Sequence, residues 1–335
     1  MRSMLNACRV LFSAAVLGPV LGLATVAPAA TLKIAYSDWP GWSALDVTKE
    51  KGFFKEAGVD VELVWMEYLP SMEALAAGKV DAVTCTNGDA MVTGATGKPS
   101  KCIVLTDYSN GNDMIVGKPG INSIKDLKGK KIGLELNLVE HLLLLKGLEA
   151  NGMTEADVTI TNVPTNDTPQ ALASGGVDAI GAWYPIAGQA IKQVAGAKPL
   201  FTSADAKGLI YDGIFVAPES LAKNRADWVK VVEAYIKTVE FIKNPATRDE
   251  AVKIMAAHVQ VNPADYAKNM GGTYFLNLED NLKHFTKGDG LDSVYGSSKV
   301  ANAFNVKNNV YKDSQPVDAY FDPSLLKEVA AKAKK

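Results

Sequence analysis

The sequence predicts an α/β protein of two lobes, each a parallel-rich sheet flanked by helices, and three observations carry that expectation. A ten-residue pattern occurs twice, ALAAGKVDAV over residues 74–83 and ALASGGVDAI over residues 171–180, with Ala, Leu, Ala, Gly, Val, Asp and Ala in register. Each copy reads as a helix end, a glycine cap (Gly78, Gly175) where a left-handed backbone needs no Cβ, and the start of a buried strand. Short apolar runs alternate with helix-length segments around both copies, the order that builds a parallel sheet covered on both faces. A chain of 335 residues, 47% hydrophobic and 21% charged, suits one large or two medium globular domains.

Residues 1–30 read as an export signal. Arg2 and Arg9 give a positive start, residues 10–26 an apolar core, and Ala27-Pro28-Ala29 a small-residue cleavage site. Gly18, Pro19 and Gly22 break the apolar run, which is too short for an anchor. Cys8 precedes that core and so does not stand where a lipid-modified cysteine would. Cleavage near Ala29-Ala30 would leave the mature protein free in an exported, periplasmic compartment.

The elements then follow in order. Residues 32–36 form a strand, Ser43 caps a helix that stops at Gly52, residues 59–65 alternate as a strand, and a helix over 70–77 enters the first repeat copy. After an apolar run over 102–108, Ser109 to Asp113 and residues 114–116 make a first crossing between lobes. A second series has strands over 131–134 and 158–163, a helix over 139–150 stopped by Asn151-Gly152, and a helix from Thr168 into the second copy; residues 198–202 close it. Residues 213–217 return to the first lobe, and helices follow over 225–242, 248–258 and 263–270, with a tail helix from Pro323. The expected lobes are 31–114 with 213–335, and 115–212, hinged around Asn112 and Asp212.

Charge and cysteine usage narrow the function. Loss of Arg2 and Arg9 takes the formal charge from −2 to −4, which argues against nucleic acid as a partner. Cys85 and Cys102 are expected at opposite edges of a sheet, too far apart for a bridge. His141, His258 and His284 are scattered, and Glu140-His141 lacks the second histidine of a helical zinc motif. With no nucleophile elbow, phosphate loop or paired-cysteine site, neither catalytic nor metal-binding residues are assigned and no cofactor is expected.

Several segments carry a resemblance. Lys49-Glu50-Lys51-Gly52-Phe53-Phe54, the first repeat copy, residues 124–133 (IKDLKGKKIG) and Val177-Asp178-Ala179 together resemble the nitrate/sulfonate/taurine group of substrate-binding proteins of ABC transporters. Within that group, Ser37-Asp38-Trp39-Pro40-Gly41-Trp42, Thr86-Asn87-Gly88-Asp89-Ala90 and residues 107–116 (DYSNGNDMIV) look like the branch associated with urea carboxylase. The resemblance implies the two-lobed periplasmic binding protein fold of type II. It also implies a urea- or guanidine-type ligand, partnership with an inner-membrane ABC permease and ATPase, and a monomer. Relatives that bind sulfonates often place Ser or Thr where this chain has residues 134–140 (LELNLVE), and an acid there departs from an anionic ligand. Thiamine-pyrimidine synthases share the implied fold but use a cysteine-rich segment that this chain lacks.

Residue chemistry at the strand ends tests the ligand's charge separately, because open sheets bind ligands at the carboxyl ends of their strands. The positions there are Asp38, Trp39, Trp42, Asn87, Asp89, Asn110, Asp113, Glu135, Trp183, Tyr184 and Asp212. Acids are frequent among them, Lys and Arg are absent, and the mature chain's two arginines, Arg225 and Arg248, lie in helices elsewhere. A planar cation held by ring faces and carboxylates fits this set. Glu135, Asp89 and Asp113 are the first choices as charge partners; Asp81 and Asp178, common to both copies, are read as structural. A sulfonate, taurine or nitrate held at a helix N-terminus remains the alternative, as does a pyrimidine-related ligand or an enzyme on the same fold.

Overall fold

The computed structural model describes residues 31–333, so the expected export signal lies outside the described residues. The strands in chain order are β1 (Leu32–Tyr36), β2 (Val61–Trp65), β3 (Ala82–Thr86), β4 (Lys101–Ser109), β5 (Asp113–Gly117) and β6 (Lys131–Leu134), then β7 (Thr159–Asn162), β8 (Ala179–Trp183), β9 (Lys198–Thr202), β10 (Tyr211–Val216) and β11 (Thr273–Phe275). They form two sheets, ordered β11-β4-β10-β3-β1-β2 and β7-β6-β8-β5-β9. Each has a parallel centre, β2-β1-β3 in one and β7-β6-β8 in the other. Each is extended by antiparallel strands on the side where the chain passes between lobes, β10 and β4 in the first sheet and β5 and β9 in the second. Most strands of each sheet therefore run one way, as expected, while β5 and β10, reached by direct crossing, run against both of their neighbours.

The repeat marks equivalent places in the two lobes. Gly78 and Gly175 have φ of 68° and 74°, as the cap requires. Asp81 Oδ2 accepts the backbone N–H of Lys33, and Asp178 Oδ2 that of Lys131, each at 2.9 Å. The shared aspartates thus clip the repeat strand to the first strand of each parallel centre.

Helices cover both sheets. Arg225–Lys243 buries Trp228, Val231, Val232, Tyr235, Val239 and Ile242 at helical spacing, and packs on Pro40–Glu50, Phe53–Ala57 and the C-terminal helix Ser324–Ala333. In the second lobe, Val139–Ala150 buries Leu142, Leu143, Leu144 and Leu148. Some local expectations change. Ser43 lies inside the helix Pro40–Glu50, whose cap position is Trp39, and its hydroxyl bonds the Trp39 carbonyl and Tyr266. Thr86-Asn87-Gly88-Asp89 opens the helix Asn87–Ala95, with the Thr86 hydroxyl capping the N–H of Asp89. Helices Pro218–Lys223, Leu278–His284 and Val294–Lys307 are additional.

Both cysteines are buried and free. What separates them is β10, which runs between β3 and β4: a Cβ on Gly213 would meet Cys102 Sγ at 2.6 Å. The two crossings are tied together, since Ser203 Oγ bonds Ser109 Oγ at 2.6 Å and accepts the N–H of Gly111 at 2.7 Å.

Candidate functional site

Where the carboxyl ends of the two parallel centres face each other, four rings meet. Trp42 stacks on Tyr68 with centroids 5.3 Å apart, and Trp183 from the second sheet lies edge-on to both, at 6.4 and 5.2 Å. Trp39 flanks Trp42 at 6.3 Å. The indole N–H groups of Trp42 and Trp183 are buried without a partner.

Six acids surround this wall: Asp89, Asp107, Asp113, Glu135, Glu140 and Asp212, none more than 7% exposed. Among the described residues no Lys, Arg or His pairs with any of them. Burial of an unpaired carboxylate costs several kcal/mol, and the acids respond by holding protons. Burial pushes Asp89 and Asp107 up to about 7 and Asp113 up to about 6. Burial raises Glu135 as well. Glu140 and Asp212 are driven well above the carboxylate range, by burial first and then by Asp113 and Asp107 respectively.

The acids differ in their donors. Asp107 accepts from Trp39 Nε1 at 2.9 Å and from Thr106 Oγ1 at 2.8 Å. Gly41 permits this approach, since a Cβ there would sit 1.6 Å from Asp107 Oδ2. Asp89 accepts from the Tyr68 hydroxyl at 2.7 Å and, across the cleft, from the backbone N–H of Val139 at 3.2 Å. That N–H opens the helix Val139–Ala150, so a carboxylate of the first lobe sits on the positive end of a helix of the second. Glu135 accepts weakly from the N–H of Thr165 at 3.4 Å and leaves Oε2 unpartnered. Asp113 Oδ2, Asp212 Oδ2 and both Glu140 oxygens have no donor.

Seven of the eleven residues expected from the sequence therefore converge: Trp39, Trp42, Asp89, Asp113, Glu135, Trp183 and Asp212. Four are placed otherwise. Asp38 accepts from Trp65 Nε1 at 2.7 Å beside His258, lining a separate cavity of about 470 Å³. Asn87 spends its amide on Ser297, Ser298 and the N–H of Tyr211, which pins the helix Val294–Lys307 to the first sheet. Asn110 is tied to Gly271 and Gly272. The Tyr184 ring meets Tyr266 edge-on and lines another cavity of about 520 Å³.

Asp107, Glu140 and Tyr68 join the site without having been expected there. Asp107 closely follows the apolar stretch Cys102 to Leu105 and Glu140 closely precedes Leu142 to Leu144, and an acid in that setting is the signal that marks them. Chemically, the arrangement is a buried cluster of ring faces, spare carboxylate oxygens and protons that a cation could displace. Among the described residues no group of acids, histidines and cysteines has metal-site geometry, and no helix is long and apolar enough to cross a membrane.

Comparison with known proteins gives the same architecture. The family model described as NMT1/THI5 like matches residues 39–247. A protein of Brucella abortus (strain 2308), provisionally described as a binding protein, is 28% identical over 293 residues, covering 86% of this chain and 89% of its own. The alkanesulfonate-binding protein SsuA from Xanthomonas axonopodis pv. citri, solved with MOPS, matches with a TM-score of 0.72 at 17% identity, over 88% of this chain and 99% of its own. The periplasmic nitrate-binding protein NrtA from Synechocystis PCC 6803 matches at 0.74 and 13% identity, over 91% and 89%. At those identities the two structural matches establish a shared fold.

Proposed function

The chain belongs to the NMT1/THI5-like family, and from that premise we propose that it is the periplasmic solute-binding component of an ABC importer for a small, flat nitrogenous cation of the guanidine type. The observation that carries the ligand class is the set of six buried acids around four rings with no basic partner among the described residues. A guanidinium presents N–H donors in one plane to carboxylates while its face lies on an indole, a contact worth roughly 0.5–2 kcal/mol once desolvated. Asp89, Asp113 and Glu135 are its proposed charge partners, and Trp42 and Trp183 its ring partners.

The lobes, 31–114 with 213–335 and 115–212, close about the crossings near Asn112 and Asp212. Ligand groups from both sheets are satisfied together only when the lobes are shut, so the ligand biases the hinge toward closure. The closed monomer then presents its cargo to the permease and ATPase.

Sulfonate or nitrate is the second reading, favoured by the names of the structural neighbours. Against it stands Asp89, whose carboxylate already occupies the N–H at the start of the helix Val139–Ala150 where an anion would sit. Calorimetric titration of the mature protein with guanidinium, urea and taurine separates these readings. Guanidinium is expected to bind tightest; tighter binding of taurine or urea would overturn the assignment. Turnover of the bound compound would move the protein to the enzymes of this fold.

A further inference from the structure

Glu140 and Asp113 form a contact that the rest of the site does not explain. Asp113 stands in β5 and Glu140 in the first turn of Val139–Ala150, a helix packed on that strand, and each carboxyl acts on the charge of the other. They are 3% and 1% exposed, and Asp113 Oδ2 and both Glu140 oxygens lack any donor from the protein. Two carboxylates buried side by side with no base at hand cannot both be ionised, so the pair holds a proton, and it stays on Glu140, the more deeply buried of the two.

The surroundings add acids and no base. Asp89 faces Glu140 from the helix Asn87–Ala95, Glu135 from the segment after β6, and Asp113 from β5. The strand β8 contributes only Gly181, whose absent Cβ would lie 2.9 Å from that of Glu140. His141, next in sequence, turns away to Glu155 at 3.5 Å and to the edge of Phe304. Asp107 and Asp212, adjacent across β4 and β10, make a similar pair, but Asp107 is held by Trp39 and Thr106. Glu140 has no such donors on either oxygen, and is the acid whose proton an incoming N–H group can replace.

Resting on the cation reading above, we propose that Glu140 is a ligand-binding residue and that capture is an electroneutral exchange in which the cation enters as the proton held by Glu140 leaves. The Glu140 O–H bond breaks, its electron pair stays on the carboxylate, and the proton passes to solvent buffer. N–H donors of the ligand then satisfy the Glu140 and Asp113 oxygens that have no donor in the protein. The net charge of the slot is the same before and after, which avoids stranding either an uncompensated cation or a third buried anion.

The test is calorimetric titration with guanidinium chloride, far below denaturing concentrations, at about pH 7 in phosphate and in Tris, whose ionisation enthalpies differ. The wild-type protein should release protons on binding, and Glu140→Gln should release about one fewer per cation. D113N and D212N, which both leave the buried Glu140 in place, should keep the release of the Glu140 proton. Affinity of the wild type should rise with pH, by up to about tenfold per unit as neutrality is approached from the acid side, and E140Q should flatten that profile. Guanidinium binding with no buffer dependence, or an E140Q protein that releases as many protons as wild type, would overturn the exchange while leaving the cation reading intact. Failure of the wild type to bind guanidinium would remove the cation reading and the exchange with it.

Discussion

The two parallel centres, β2-β1-β3 and β7-β6-β8, are one design used twice, and they differ only where they meet the cleft. Both have a glycine cap, both have an aspartate clip, and both set an acid of the crossing strand opposite the last residue of the repeat strand: Asp212 against Thr86, Asp113 against Trp183. Beyond that point the copies part. The first continues into a helix that carries Asp89 to the cleft, and its crossing-strand acid lies beside a second, well-donated acid, Asp107. The second ends in the ring of Trp183, and its acid lies against Glu140, which has no donors. Repeated residues therefore hold the lobes, and the diverged residues make the slot.

That division can be broken in several ways, of which the largest concerns the slot. Asp89→Asn removes a desolvated charge partner, and guanidinium affinity measured by calorimetry should fall on the order of a hundredfold. W183A removes a ring face and should cost on the order of tenfold. An unchanged affinity in either variant would return these residues to the scaffold.

The pH response follows from the same acids. Asp89, Asp107 and Asp113 have their folded values raised to about 7, 7 and 6, above the ordinary carboxylate value near 4 that applies to the unfolded chain. Their contribution to stability is thus complete below about pH 4 and is lost as pH rises through about 6 to 7. The melting temperature of the ligand-free protein should fall by several degrees between about pH 5 and pH 8 by this mechanism, and added guanidinium should recover more of it at the higher pH. Differential scanning fluorimetry checks both; a ligand-free melting temperature that rises over that interval would contradict the protonated slot.

The scaffold half predicts smaller, matched effects. Asp81→Ala and Asp178→Ala each remove a carboxylate-to-backbone bond and should lower unfolding free energy by about 1 kcal/mol with guanidinium affinity unchanged. Asp178 should lose slightly more, because it also pairs with Lys118. Gly78→Ala and Gly175→Ala meet no atom within 4 Å, so only the left-handed backbone is strained, at about 1 kcal/mol each. A large difference between the copies in denaturant unfolding would break the equivalence.

Much of this was readable before the fold because it is local. A left-handed cap and an aspartate just beyond it leave their mark within ten residues, so the repeat, the caps and the structural role of Asp81 and Asp178 follow from the chain itself. The antiparallel strands were harder, since β10 finds β3 across more than a hundred residues and no pattern in β10 announces its direction. Strand-end position predicted which residues stand near the cleft but not where each side chain spends its hydrogen bonds. Asp38, Asn87, Asn110 and Tyr184 accordingly spend their side chains away from the ring wall. Glu140 and Asp107 were missed for the converse reason, as acids beside apolar stretches whose partners arrive only through tertiary packing.

The most direct test of the central claim is the position of guanidinium in a crystal structure of the complex. The account predicts the cation between the rings of Trp42 and Trp183, with its N–H groups on carboxylates drawn from both sheets, Asp89 and Asp113 among them. An anion in that slot, a basic side chain projecting into it, or guanidinium bound outside the ring wall would contradict it.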